Sequence, residues 1–362
     1  MLKFVKHVHF VGLGGIGMSG IAEVLLEQGY KISGSDLNDS SVLQRLLHKG
    51  AKAMIGHSAE NVEGADVVVV SSAIDEDNPE VARARELNIP VVARALMLAE
   101  LMRFKHGIAI AGTHGKTTTT SLVSSVLVSA GLDPTFIIGG IVNSESTNAR
   151  LGKGDILVAE ADESDASFLQ LTSTISAITN IDADHMETYG NNFDQLKQAF
   201  VQFIHKLPFY GLAILCFDDE VVREISEDIN RTIVSYGLSD GVDIQAVNLQ
   251  QHGSNTSFDV IRYGEPAGNF ILAMPGEHNV QNALVAIAIA TKLNIDDQAV
   301  REALAEFKGI GRRFEELGML SLASGGEVKV IDDYAHHPRE LAATIPAAQA
   351  AWPEQRIVCL FQ

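Results

Sequence analysis

Short apolar runs alternate with amphipathic stretches over the first hundred residues. Residues 7–12, 30–35 and 90–93 predict strands, and residues 17–28, 41–49 and 79–86 predict helices. Residues 67–71 are β-branched through Val70, the pattern of a strand buried on both faces. This β-α rhythm predicts a parallel sheet with right-handed crossovers. A second series starts at Gly107, with strands at 108–111, 156–159, 175–181, 213–216 and 232–236 and helices at 116–129, 193–203, 279–293 and 297–307. Residues 242–273 alternate apolar and polar positions, as a small antiparallel patch does. After the glycine-rich turn at 309–313, a strand (327–331), a helix (338–351) and a strand (356–361) are expected. The predicted class is α/β in three units: a Rossmann-like unit at 1–105, a central P-loop-type unit at 106–311, and the start of a third Rossmann-like unit at 312–362. A lone β-α-β of about 50 residues buries its faces poorly. The chain is therefore expected to be a fragment lacking most of its third domain.

Composition narrows the function. The chain is 46% apolar and 20% charged, ordinary for a soluble protein with several cores. Its net charge of −19 argues against a nucleic-acid binder, which usually shows a basic face. Anionic ligands stay open, because backbone N–H groups and a few local cations hold phosphates. Cys216 and Cys359 are far apart with no Cys-x-x-Cys, so neither a disulfide framework nor a zinc site is indicated, and a cytoplasmic location is expected. Lys3 and Lys6 precede an apolar run, but Gly12, Gly14, Gly15 and Gly17 cut it, unlike a signal peptide. No apolar stretch reaches the ~18 residues of a membrane span.

Two glycine loops carry the chemistry. The first, Gly12-Leu13-Gly14-Gly15-Ile16-Gly17, links a predicted strand to a helix. Its glycines let the backbone approach a diphosphate at the positive end of the helix dipole. Asp36 ends the next strand, where an acid meets a ribose hydroxyl in dinucleotide folds. Ser71, after the third strand, is expected at the same rim. Spacing alone leaves a nicotinamide dinucleotide, a UDP-sugar or a ligand-free packing loop open.

The second loop is Gly112-Thr113-His114-Gly115-Lys116-Thr117-Thr118. It resembles a P-loop, whose N–H groups wrap phosphate oxygens, with Lys116 on the β/γ-phosphates and Thr117 on Mg²⁺. Ile110 stands where the general motif has its first glycine. Glu160 ends the strand beginning at Ile156 and is expected to face this loop. One or two carboxylates beside phosphates suffice for Mg²⁺. Asp165, a few residues on, is read as a solvated loop acid. His185 follows another strand, and a lone histidine there is either structural or a ligand. Asn279 suits a helix cap, whereas Asn282, one turn in, suits an adenine edge. Arg313 is placed to reach a γ-phosphate. The turn Asp332-Asp333-Tyr334-Ala335-His336-His337-Pro338 concentrates polar and aromatic groups.

Taken together, six motifs in one order resemble the Mur ligase family. They are Gly-Thr-x-Gly-Lys-Thr-Thr at 112–118, the strand end at Glu160, Asn-x-x-x-Asp-His ending at His185, His-Asn-x-x-Asn-Ala from His278, Gly-Arg-Arg-Phe-Glu from Gly311, and Asp-Asp-Tyr-Ala-His-His-Pro from Asp332. The resemblance covers essentially the whole chain. The opening Gly-x-Gly-Gly-x-Gly-Met-Ser-Gly is similar to that of the branch joining L-alanine to UDP-N-acetylmuramate. It implies ATP and Mg²⁺ as cofactors and UDP-N-acetylmuramate and L-alanine as substrates, with no nucleic acid or membrane partner.

It also implies roles. Gly14, Gly15, Ile16, Gly17, Met18 and Ser19 hold the UDP diphosphate, with Asp36 near the nucleotide. Gly112 to Thr118 hold ATP, and Thr117, Glu160 and His185 surround Mg²⁺, with Lys116, Glu160 and His185 taken as the catalytic group. His278, Asn279 and Asn282 approach adenine. Asn143, Arg150 and His185 approach the muramoyl end. Arg313, Asp333, His336 and His337 close over ATP and the amino acid. Several members carry a carbamylated lysine after the Asp-His motif; Phe200 and Val201 stand near that place here.

Three rivals remain: a recycling ligase adding a preformed tripeptide to the same UDP-sugar, a nicotinamide-dependent dehydrogenase, and a non-catalytic nucleotide-binding protein. The dehydrogenase leaves 112–118 unexplained. Lys116→Ala is expected to abolish ATP-dependent ligation and leave UDP-sugar binding largely intact. Parallel loss of both, in turnover and titration assays, argues against the phosphate role of Lys116.

Overall fold

The computed structural model describes residues 4–142, 147–323 and 325–361. The first unit is a five-stranded parallel sheet made of β1 (His7–Val11), β2 (Lys31–Asp36), β3 (Lys52–Ile55), β4 (Val67–Val70) and β5 (Val91–Ala93), in the order β3-β2-β1-β4-β5. α1 (Ile16–Glu27), α2 (Ser41–His48) and α3 (Pro79–Glu86) link its strands, and α4 (Arg94–Met102) follows β5 and leads into the second unit. Ser40 caps α2 by accepting from the Leu43 amide, and Asn78 caps α3 just before a proline whose missing N–H costs nothing in the first turn. The short β3 and the whole of α4 escape the sequence pattern: β3 lies at the sheet edge with no fully buried residue.

The second unit is one ten-stranded sheet. It contains β6 (His106–Ala111), β7 (Thr135–Val142), β8 (Thr147–Arg150), β9 (Ile156–Glu160), β10 (Ile175–Ile178), β11 (Leu212–Cys216), β12 (Thr232–Gly237), β13 (Ile244–His252), β14 (Asn255–Arg262) and β15 (Glu265–Leu272). The order β15-β14-β13-β12-β11-β10-β6-β9-β7-β8 makes the expected antiparallel patch an edge of this sheet. Helices α5 (Lys116–Ser129), α6 (Phe193–His205), α7 (Glu220–Ser226), α8 (Glu277–Lys292) and α9 (Asp297–Ala305) cover it.

Strand alternation divides the interior. Ala109, Leu157 and Ala159 face one core with Phe168, Phe200 and Phe203, while Ile108, Ile110 and Val158 face the other with Leu122, Val126 and Leu284. The first core continues into the first unit, joining Val8, Phe10, Ile21 and Leu25 to it. The contact runs through α1, which lies on β7 and β8. Gly20 makes this approach possible: a Cβ there would lie 3.2 Å from both Ala149 Cβ and Asn148 Nδ2.

The third unit is a hairpin of β16 (Glu315–Ser321) and β17 (Glu327–Asp332) followed by α10 (Pro338–Ala351). The strand expected at 356–361 is not formed. A strand needs a neighbour, and this segment stands off β17 across a groove lined by Ile331, Leu341, Ile345 and Val358. β16 was not foreseen, because its residues are nearly all exposed and show no alternating burial.

Gly20→Val is expected to lower stability by roughly 1–3 kcal/mol through overpacking of α1 on β8. Gly20→Ala should be far milder, because better helix propensity offsets the tight contact. Denaturant midpoints check this; equal midpoints for Gly20→Val and the parent contradict packing through this helix.

Candidate active site

The loop between β6 and α5 is shaped by its glycines. Gly112 has φ 131°, and a Cβ there would overlap the Thr179 hydroxyl. Gly115 has φ 82°, and its Cβ would come within 2.6 Å of Asn282 Oδ1. Residues after β10 clamp the loop. The Thr113 amide donates to the Asn180 carbonyl (3.0 Å), and the His114 amide donates to Asn180 Oδ1 (2.8 Å). Thr179 Oγ1 and Asn180 Nδ2 both donate to the His114 carbonyl, at 2.6 and 3.0 Å. The first amides of α5 have no carbonyl a turn earlier to bond, so this fixed loop presents donors to an anion.

Lys116 Nζ donates to the carbonyls of Gly112 (2.7 Å) and Thr113 (3.1 Å) and to Glu163 Oε2 (2.7 Å). Glu163 was missed by the sequence reading. Its side chain is 2% exposed, burial pushes its carboxyl up, and the Lys116 charge pulls it back down. Only its place three residues beyond Glu160 hinted at it. The carbonyl of Glu163 accepts from the Tyr189 hydroxyl, and Thr188 holds the neighbouring Ser164 carbonyl.

Glu160 ends β9 with the Thr117 hydroxyl and the Gly139 amide close enough to its carboxylate to favour the ionised form. Burial raises its carboxyl above the usual range. Gly139 cannot carry a side chain, because a Cβ would sit 2.5 Å from Glu160 Oε2. Glu160 Oε1 is buried with no hydrogen-bond partner. An orphaned carboxylate oxygen beside a threonine hydroxyl is a hard-oxygen pair that fits Mg²⁺. His185 is not brought against this pair by any recorded contact: it sits at φ 52° before a short 3-10 turn, its ring about half exposed and 3.7 Å from Asp184.

A different group of three gathers instead. His114, Asp182 and His337 each offer a ligand atom, all within 4.8 Å of one another. Asp182 Oδ2 lies 3.5 Å from His114 Nε2, 3.7 Å from His337 Nδ1 and 2.9 Å from Arg339 Nε. With a guanidinium on the same oxygen, the group acts as an ionic link between the P-loop and α10. Glu340 extends it. Its carboxylate accepts from the His336 and His337 amides at 2.9 and 3.2 Å and faces His114 and Arg313 at 3.5 and 3.6 Å. Burial opposes ionisation of Glu340, but these donors and charges hold its carboxyl far below the usual range.

A cleft of about 210 Å³ lies between α5, α8 and α10, lined in part by His114, Asn180, His278, Asn282, Arg313 and Asp333. Asn282 accepts from Thr119 (3.1 Å) and donates to Asn279 Oδ1 (3.3 Å), while Asn279 donates to the Pro275 carbonyl (2.8 Å). Arg313 lies under the Tyr334 ring, and Asp333 accepts from the Phe314 and Ala335 amides. His336 is exposed at the rim, and His337 caps α10.

In the first unit, Asp36 Oδ2 accepts from the Gly14 amide (2.9 Å), and the Ser35 carbonyl accepts from Gly12 and Leu13. Asp36 thus shapes the glycine loop directly. Met18 and Ser19 are buried behind it, Ile16 is exposed in it, and Ser71 directly follows Val70, the partner of Val11 in the sheet. Asn148, unforeseen, reaches from β8 to donate to the Ile16 carbonyl (2.7 Å). Arg150 is not brought to the rim. β8 runs antiparallel to β7, so Arg150 pairs with Phe136, level with Val158 and below Glu160, and bonds Asp133 at 2.6 Å. Asn143 lies outside the described residues.

With this geometry in view, three family models match the chain: "Mur ligase family, catalytic domain" at 7–106, "Mur ligase middle domain" at 110–290 and "Mur ligase, glutamate ligase domain" at 312–362. Among solved structures, the chain is similar to a UDP-N-acetylmuramate-alanine ligase from Thermotoga maritima, with 32% identity and TM-score 0.84 over 96% of this chain and 78% of that one. It is also similar to a UDP-N-acetylmuramate:L-alanyl-gamma-D-glutamyl-meso-diaminopimelate ligase from Neisseria meningitides (27%, 0.78, 85% and 100%) and to a murein peptide ligase from Psychrobacter arcticus (26%, 0.81, 97% and 77%). The matches define a three-domain ATP-dependent amide ligase fold. The chain belongs to the Mur ligase family, whose members use Mg²⁺ in general. Among the described residues, no helix is long and apolar enough to cross a membrane.

His278 supplies a pH test. Burial lowers its pKa from 6.5 to about 4, so the folded protein keeps the ring neutral where the unfolded chain protonates it. Its contribution is complete above pH 6.5 and is lost as pH falls towards 4, up to about 3 kcal/mol. Unfolding free energies measured across this window should fall less steeply in His278→Gln; an identical slope excludes the assignment.

Proposed function

We propose that this chain joins L-alanine to the lactyl carboxylate of UDP-N-acetylmuramate, with cleavage of ATP to ADP and phosphate. The observation that carries the reading is Lys116, held over the loop by Gly112, Thr113 and Glu163, next to the Thr117–Glu160 pair. The similarity to the Thermotoga maritima ligase and the opening of the first glycine loop support this choice of substrates.

A carboxylate is a poor electrophile. One lactyl oxygen attacks the γ-phosphorus, ADP leaves, and the acid becomes an acyl phosphate. The amine of L-alanine, having lost a proton, then attacks the carbonyl carbon, and the tetrahedral species expels phosphate to leave the amide. The first transfer depends on in-line positioning and charge neutralisation. Lys116 and the α5 amides hold the phosphates, while Thr117 and Glu160 would hold Mg²⁺, which supplies further neutralisation of phosphate charge. Arg313 and Asp333 line the cleft from the third unit, and its closure on the P-loop keeps water from the acyl phosphate. Reaction in a reducing cytoplasm fits the two unpaired cysteines.

A second reading keeps the same sugar but uses a preformed tripeptide as the amine. The similarity to the two peptide ligases favours it. Phosphate release by the complete protein, measured with UDP-N-acetylmuramate and each amine in turn, separates them. L-Alanine is expected to stimulate release at least about tenfold over the tripeptide. The reverse ranking transfers the assignment to the recycling reaction, and release independent of the UDP-sugar defeats both.

A further inference from the structure

Three metal-ligating side chains converge where the third unit meets the P-loop. His114 comes from the loop between β6 and α5, Asp182 from the segment after β10, and His337 from the cap of α10. Among the described residues they are the one such group close enough to share an ion. The two imidazole rings lie side by side, with centroids 4.7 Å apart. His114 Nε2 and His337 Nδ1 stand 3.5 and 3.7 Å from Asp182 Oδ2. Ligand atoms on a tetrahedral Zn²⁺, each about 2.0–2.1 Å from the ion, are separated by roughly 3.3 Å. Small side-chain movements therefore bring both nitrogens to coordinating distance from an ion on Asp182. No spacing in the sequence announces this group, because its members come from three distant segments.

Each ligand atom has a free lone pair. His114 Nε2 and Asp182 Oδ2 are buried without a hydrogen-bond partner. The other ring nitrogen of His114, Nδ1, lies 3.5 Å from Glu340 Oε1. A carboxylate in that place orients the ring and fixes the tautomer that leaves Nε2 unprotonated, as it does behind metal-bound histidines. His337 Nδ1 accepts from the Arg339 amide at 3.3 Å, so it too carries a lone pair. Two imidazoles and one carboxylate suit Zn²⁺ and its neighbours better than Mg²⁺, which prefers oxygen. The competitor is Arg339, whose Nε lies 2.9 Å from Asp182 Oδ2. Its side chain is more than half exposed, and its Nη1 lies 3.8 Å from Asp219 Oδ2, so a second acid is at hand when an ion displaces it.

We propose that His114, Asp182 and His337 form a site for a Zn²⁺-class ion that fastens the third unit to the P-loop. It is distinct from the oxygen pair of Thr117 and Glu160 that fits Mg²⁺. Coordination to both sides of the junction replaces charge pairs that water weakens with metal–ligand bonds whose formation stabilises the docked arrangement. Three protein ligands leave a fourth position for water. His114 also lines the cleft, so the bound ion holds α10 over it. A fastening of this kind acts whichever amine or sugar the protein joins.

Calorimetric titration of the whole chain with ZnCl₂, in excess Mg²⁺ and without nucleotide, tests the site directly. About one Zn²⁺ per chain is expected to bind, and Mg²⁺ should not displace it. Asp182→Asn and His337→Gln should each weaken binding about tenfold or more. Arg339→Gln removes the competing cation and should tighten binding about fivefold. Cys359→Ser, which removes the exposed thiol, should leave it unchanged. Trp352, the single tryptophan of the chain, lies just after α10 and stacks on Phe314. Its fluorescence follows the third unit, and Zn²⁺ should raise the midpoint of its thermal transition in the parent and not in His337→Gln. Binding retained in both Asp182→Asn and His337→Gln, or lost in Cys359→Ser, marks adventitious surface coordination and overturns the proposal. So does a parent that binds no Zn²⁺, an Arg339→Gln variant that binds it more weakly, or an unmoved Trp352 transition.

Discussion

The ammonium of Lys116 sits among two loop carbonyls and a carboxylate that is 2% exposed. This contact sets the character of the whole site. A buried carboxylate without a partner is strongly destabilising, and so is a buried ammonium. Glu163 and Lys116 each make the other tolerable, and together they fix the end of β9 against the start of α5. Arriving phosphates meet a cation already oriented, with little side-chain freedom left to lose. The arrangement needs Gly112 and Gly115, since a side chain at either position would collide with Thr179 or Asn282.

From that pair the structure branches in two directions. Towards the first unit, α1 packs on β7 and β8 through Gly20. The two units share one apolar core, so the glycine loop of the first is seated on the second. Asn148, holding the Ile16 carbonyl from β8, belongs to the same seating.

Towards the third unit the link is ionic. Asp182, Glu340, His114, His337, Arg313 and Arg339 meet where α10 approaches the P-loop. Partly exposed charge pairs contribute little net stability individually, and water competes for them. A junction built this way separates more easily than the apolar seating of the first unit. That contrast suits an enzyme in which the third unit opens for substrates and closes for chemistry.

The sequence by itself determined the elements whose signals are local. Periodicity placed α1, α5 and α8, and a continuous apolar run placed β4. Glycines before helix starts located both glycine loops, because left-handed backbone and close approach admit few other residues. Glu160 was legible for the same reason, as the first acid after an apolar strand. Only the tertiary structure decided the contacts that join distant segments. Glu163 looks like a solvated loop acid until the fold brings Lys116 to it. The resemblance set Arg150 towards the muramoyl end, whereas the antiparallel course of β8 sets it opposite Phe136, level with Val158 and bonded to Asp133. The segment 356–361 has strand composition, but a strand exists only with a neighbour. Local patterns report how one residue treats its own backbone, whereas ion pairs and ladders depend on which remote group the chain delivers to it.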